Sequence, residues 1–137
     1  MRSHCPINYA LENFGDKWSL LIIRDLMFMG KRHYNQFFES KEKVSTSVLG
    51  DRLKQLEVAG IISKGKDEVK KSRIKYSLTK KGIDMLPFMI DIIVWSDLYD
   101  DKAKAGVDIL NDAINKREFL ITSLKKKLEI EHLGMIH

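Results

Sequence analysis

The chain has a single cysteine and two prolines among 137 residues, and no uncharged run approaches the roughly 20 residues that a membrane-spanning helix needs. One thiol excludes an internal disulfide framework. The amino terminus, Met1-Arg2-Ser3-His4-Cys5-Pro6, has no apolar stretch followed by small residues, so no secretory signal is expected. These absences point to a soluble protein of the reducing cytoplasm. A glycine-rich phosphate loop, a serine elbow and a paired-histidine motif are also missing, and no enzyme chemistry is expected. His4 beside Cys5 falls short of the ligand number and spacing of a metal site, so neither metal nor cofactor is expected. Without repeats or low-complexity tracts, the chain reads as ordered elements with short connections.

What is present is charge, and it is unevenly placed. The net charge is +5, but residues 41–82 alone hold 12 basic against 5 acidic residues, whereas residues 83–137 hold 7 against 10. A basic middle beside an acidic end suits a surface that faces a polyanion; a solvated lysine-rich face without a partner is the alternative that charge alone leaves open.

Pro6 fits the first turn of a helix in which Ile7, Ala10, Leu11 and Phe14 form an apolar stripe, and Gly15 ends it. Asp16 can cap a second, buried helix marked by Trp18, Leu21, Ile22, Ile23 and Leu26, which stops before Gly30. A short third helix runs from about Tyr34 to Ser40. Ser45 then precedes a fourth, where Leu49, Leu53 and Leu56 share one face and Gly60 ends the run. Ser47, Asp51, Lys54 and Val58 fall opposite the leucines, with Arg52 towards the side, so a mainly polar face points outward from a first turn of Ser45, Thr46 and Ser47.

The period then changes to two. Ile61 to Lys64 is a strand candidate, and residues 73–78 alternate, with Ile74, Tyr76 and Leu78 on one face. Between them a polar tip, Gly65 to Ser72, carries Lys66, Lys70 and Lys71. Thr79 caps a long helix to about Asp101, bent at Pro87, and a last helix from Val107 to about Glu129 carries Val107, Leu110, Ile114, Ile121, Leu124 and Leu128 in nearly a heptad seam that Arg117 interrupts. Trp18 and Trp95 read as core aromatics, and His132 and His137 as tail residues.

This order predicts a mostly α fold with a small β-hairpin: a winged helix-turn-helix domain over residues 1–101, then a carboxy-terminal helical extension over 102–137 that serves dimerisation. The expected function is sequence-specific regulation of transcription on duplex DNA. The fourth helix fits a major groove about 12 Å wide, where hydroxyl, carboxylate and basic groups on its first turns reach base edges and phosphates. The DNA-binding candidates are Arg32, Ser45, Thr46, Ser47, Asp51, Arg52 and Lys54, with Lys66, Lys70, Lys71 and Arg73 of the hairpin giving phosphate affinity. Asp51 either reads a cytosine amino group or positions Arg52 or Lys54. A winged helix that binds protein with the same surface is the competing reading. A small domain reading DNA tightly implies a homodimer on two half-sites.

Cys5-Pro6 with Ala10-Leu11, Gly15-Asp16-Lys17-Trp18, Arg32-His33-Tyr34-Asn35-Gln36-Phe37, Leu53-Lys54-Gln55-Leu56-Glu57, Gly60-Ile61-Ile62 and Tyr76-Ser77-Leu78-Thr79 with Gly82 resemble the HxlR-type transcriptional regulators. The likeness runs from about Cys5 to Trp95. It implies a homodimer held by the terminal helices, with the fourth helix and the wing on a roughly palindromic operator. The chain departs from the family at Lys71-Ser72, where prolines are frequent, and at Lys75, where an acidic residue is common. Cys5 precedes Pro6 at a helix start, where free N–H groups favour a thiolate, and Arg2 is near in sequence. The resemblance adds an oxidant- or electrophile-sensing role for Cys5, since some members sense through a matching cysteine; a buried packing residue is the other reading.

Overall fold

In the computed structural model, which describes residues 2–103 and 107–136, the chain divides into two compact units, one running to Gly82 and the other beginning at Ile83. The first holds α1 (Pro6–Phe14), α2 (Ser19–Phe28), α3 (Tyr34–Phe38), α4 (Thr46–Val58), β1 (Ile62–Lys66), β2 (Ile74–Leu78) and most of α5 (Lys80–Ile83). Its core follows the expected faces. Ile22, Ile23 and Leu26 of α2 meet Leu49, Leu53 and Leu56 of α4, while Phe37 stands edge-on to Tyr76 with ring centroids 5.9 Å apart. Each buried leucine of α4 contributes on the order of 1.5–3 kcal/mol by leaving water.

The local signals explain the boundaries. Asp16 Oδ1 accepts from the backbone N–H of Trp18 at 2.9 Å and of Ser19 at 3.0 Å, which satisfies free donors at the start of α2. Ser45 Oγ does the same for Val48 at 3.3 Å, and Gly60, with φ +76°, takes the left-handed turn after α4 that a side chain would disfavour. The strands pair antiparallel, from Ile62 opposite Leu78 to Lys66 opposite Ile74. Gly82 packs so closely that a Cβ there would lie 2.4 Å from the Ile61 carbonyl oxygen.

Two faces of this unit differ from expectation. The α1 stripe is turned to solvent, with Ile7 72% and Leu11 50% exposed, and the residue α1 buries is Asn8, whose amide donates to the Ser3 carbonyl at 3.0 Å. On β2, Tyr76 and Leu78 are buried but Ile74 is 46% exposed, because the outer end of the strand extends past the core.

The second unit contains α6 (Leu86–Tyr99), α7 (Val107–Asn115) and α8 (Arg117–Leu133), which pack against one another. Pro87 does not bend one long helix; it starts a new one. A proline ring excludes the carbonyl four residues earlier, here that of Ile83, and α5 ends at Ile83. The last helix is likewise two, parted at Lys116 (φ −139°, ψ 46°), and Arg117 turns to form two 3.1 Å bonds with the Asp91 carboxylate. The break divides the expected seam: Leu128 is buried, Leu110, Ile121 and Leu124 are half-buried, Ile114 is exposed, and the Val107 side chain lies outside the described residues. Trp95 is 64% exposed rather than core, and His132 is buried in the last turn of α8 rather than in a tail; His137 lies outside the described residues. Among the described residues no helix is long and apolar enough to cross a membrane, and no group of three or more His, Cys, Asp or Glu could hold a metal ion.

Candidate nucleic-acid interface

The burial of Leu49, Leu53 and Leu56 fixes the rotation of α4, and Ser45, Thr46, Ser47, Asp51 and Lys54 stand exposed as a result. The start of the helix is braced by Tyr34 of α3, whose hydroxyl donates to the Thr46 carbonyl at 2.9 Å. Asp51 accepts from Arg52 at 2.5 Å and from Gln55 at 3.1 Å, so the carboxylate organises its own helix face. Arg52 is half-buried, its Nε 3.0 Å from Asp16 Oδ1 without the alignment of a hydrogen bond, and it ties α4 to the turn before α2.

Past the paired strands, the wing closes in a turn built on Asp67. Its Oδ1 accepts from the backbone N–H groups of Val69 and Lys70, both at 2.9 Å, and its backbone N–H donates to the Arg73 carbonyl at 2.8 Å. Arg73 reaches Oδ2 at 3.2 Å. The two backbone donors, then the Arg73 charge, hold the Asp67 carboxyl down at about 2. The turn presents Lys66, Lys70 and Lys71 to solvent, and among the described residues no acid pairs with any of the three. Lys75, by contrast, lies 3.7 Å from Glu68.

The segment before α3 is stitched to β2. Arg32 donates from Nε to the Tyr76 carbonyl and from Nη2 to Ser77 Oγ, both at 2.6 Å, and its own carbonyl accepts from the Tyr76 N–H at 2.7 Å. His33, buried, places Nδ1 3.0 Å from the Ile74 carbonyl and Nε2 3.2 Å from Asp67 Oδ2. Thus the structure gathers Ser45, Thr46, Ser47, Asp51 and Lys54 on one helix face and Lys66, Lys70 and Lys71 on one turn, while Arg32, Arg52 and Arg73 are engaged in bonds within the unit.

Cys5 is exposed at the N-cap of α1. The backbone N–H groups of Asn8 and Ile7 hold its thiol below the usual range, with burial opposing only weakly. Arg2 is engaged elsewhere, with Nε donating to Asn8 Oδ1 at 3.1 Å and 3.7 Å from Glu12.

A buried leucine face under a polar helix, followed by a basic hairpin, is the winged helix-turn-helix arrangement, and a family model described as HxlR-like helix-turn-helix matches residues 13–104. The chain belongs to the HxlR-like helix-turn-helix family. An uncharacterized HTH-type transcriptional regulator of Synechocystis sp. is 37% identical over 86 residues, which cover 63% of each chain. Among solved structures, PA1607, a candidate transcription factor, superposes with a TM-score of 0.66 at 30% identity over 77% of this chain and 70% of that one. HypR, a redox regulator in its oxidized form, gives 0.60 at 26% identity over 68% of this chain and 95% of its own. The HxlR-like relatives are transcriptional regulators and not enzymes. Within the HxlR-like match, His33 and Asp67 escape the sequence reading, because nothing local marks a pair so far apart in the chain. The hint was a histidine at a helix start with Gln36 three residues on, whose Oε1 accepts from the N–H groups of Arg32 (2.8 Å) and His33 (3.0 Å).

Proposed function

We propose that the protein regulates transcription by binding a palindromic duplex operator as a homodimer, with α4 in the major groove and the wing on the phosphate backbone. One observation carries this reading: the outward faces of α4 and of the wing turn hold the exposed hydroxyls and the lysines without acid partners, while the arginines nearby are spent on holding the frame. In this reading Thr46, Ser47, Asp51 and Lys54 select sequence, with Ser45 doubling as the cap, and Lys66, Lys70 and Lys71 neutralise phosphates. Arg32, Arg52 and Arg73 act mainly by positioning.

The dimer contact is proposed on exposed apolar surface rather than on the divided seam. In α6, Phe88, Ile92, Trp95, Leu98 and Tyr99 are exposed although Leu86, Met89 and Ile90 are buried, so the helix is apolar on every side and half of that surface is uncovered. In α1, Ile7 and Leu11 are similarly open. A second copy supplies the missing cover.

Cys5 is the proposed sensor of oxidants or electrophiles. It is solvent-exposed, its thiolate is favoured, and the similar protein HypR is a redox regulator. Diamide is expected to weaken DNA binding by wild type and leave Cys5→Ser unaffected; equal loss in both would remove Cys5 from the account.

Selection of duplexes from a random-sequence pool with the full-length protein tests the whole reading. Enriched sequences with two-fold symmetric half-sites about one helical turn apart are expected. Enrichment of no sequence, with the protein instead retained by a protein partner, would favour the interaction-module reading.

A further inference from the structure

His33 and Asp67 are buried, at 9% and 6% exposure, and meet from opposite sides of the wing's base. The imidazole has an oxygen at each nitrogen: the Ile74 carbonyl 3.0 Å from Nδ1 and Asp67 Oδ2 3.2 Å from Nε2. The nearby Gln36 N–H does not compete for the ring, because it donates to the His33 carbonyl at 3.0 Å. A carbonyl oxygen only accepts. The Asp67 carboxylate, ionised down to about pH 2, also only accepts. A neutral imidazole carries one N–H and one lone pair, so it can satisfy one of these oxygens while turning its lone pair on the other. The arrangement is therefore that of an imidazolium donating from both nitrogens.

The other charged groups about the ring leave this intact. Arg73 binds the same carboxylate oxygen at 3.2 Å, and Arg32, next in the chain, aims its guanidinium at Tyr76 and Ser77 of β2. Tyr76, the remaining titratable group of that strand near the ring, has its phenol pushed up by burial and so stays neutral. On the far side of the ring's contact, the strand ladder has ended at Lys66 and Ile74, and the bonds of Asp67 to Val69, Lys70 and Arg73 are internal to the turn. His33 joins that turn to the segment that opens α3.

We propose that protonated His33 and Asp67 form a latch that positions the lysine turn of the wing, and that the latch opens as His33 loses its proton. The proposal rests on the DNA-binding reading for its functional consequence. The sign follows from the partners: the contact is present while the ring is charged and is lost as pH rises through its titration. Asp67 stays ionised far below that range, so the latch opens from the alkaline side. Duplex binding then weakens with rising pH for a reason separate from the lysines, which keep their charge there.

The test has a free-protein arm and a DNA arm. In the free full-length protein, nitrogen NMR of the His33 ring and the amide signals of Val69 and Lys70 are followed from about pH 5.5 to about pH 8.5. Both ring nitrogens are expected to carry protons at the acid end, and the wing amides should move with the ring's titration in wild type but not in Asp67→Asn. In the second arm, affinity for a duplex recovered from the random pool should fall by about tenfold more across that range in wild type than in His33→Arg, whose cation does not titrate. Wing amides that stay still while the ring titrates, or a ring singly protonated throughout, would overturn the latch. Equal pH profiles for wild type and His33→Arg would overturn its role in binding. If no variant bound any duplex, the DNA reading itself would fall, and the ring and amide signals would still decide whether the latch exists.

Discussion

The two units of this chain finish their hydrophobic work to different degrees. In the first, the leucines of α4 and the isoleucines of α2 are covered to within a few per cent of complete burial, and the large apolar side chains left open lie mainly on α1 and at the edge of the wing. In the second, α6 leaves Trp95 64%, Leu98 69% and Tyr99 75% exposed, and α8 adds Phe119 at 68%. Contiguous apolar surface of that kind marks a place where another surface belongs. One unit is a finished scaffold that spends its outward side on polar and basic groups; the other carries half of a core. That division matches a reader of DNA joined to a dimerisation element.

The sharpest way to break the comparison is to damage each unit where it is said to matter. Leu56→Ala, at a fully buried position of α4, is expected to cost about 2–5 kcal/mol in urea-induced unfolding. Trp95→Glu should do something else: little change in the stability of the monomer, but loss of the dimer in sedimentation, with about 2 kcal/mol or more removed from association if Trp95 is an anchor of the contact. A Trp95→Glu protein that stayed a dimer would separate α6 from the interface. The smallest expected effect is a gain. Gly50 sits inside α4, exposed, and a Cβ there would meet nothing within 4 Å. Gly50→Ala is expected to stabilise the fold by about 0.5–1 kcal/mol. If affinity for the selected duplex falls while stability rises, close backbone approach to DNA explains the glycine; if both rise, it does not.

The first unit was the more legible from sequence, for a physical reason. A helix that buries one face inside its own unit writes that face as a period, so Leu49, Leu53 and Leu56 between Ser45 and Gly60 gave α4 its place and rotation. The alternation over residues 73–78 gave the hairpin, but it could not tell that Ile74 lies beyond the edge of the core. In the second unit the period misleads. A helix that is apolar on every side has no single face to read, so Trp95 looked like core, and the continuing pattern around Pro87 concealed that the helix restarts there. Lys116 and Arg117 broke the seam in sequence as well, but the break became visible only with Asp91 of α6 as partner to Arg117. The His33 and Asp67 pair joins residues distant in the chain, and periodicity carries no information on such pairs. The candidate DNA-facing residues were legible as types and as a helix face; that three arginines among them are turned inward was not.

The central claim is that the lysine turn of the wing meets phosphate. It is tested most directly by the salt dependence of duplex binding, measured by fluorescence anisotropy on one selected duplex, for wild type and for the triple variant Lys66→Ala, Lys70→Ala, Lys71→Ala. The account predicts a steep linear fall of log affinity with log salt for wild type, and a slope smaller in magnitude by about 0.9 for each phosphate contact removed, with the preferred sequence unchanged. Identical slopes in the two proteins, or a changed sequence preference with the slope intact, would contradict it.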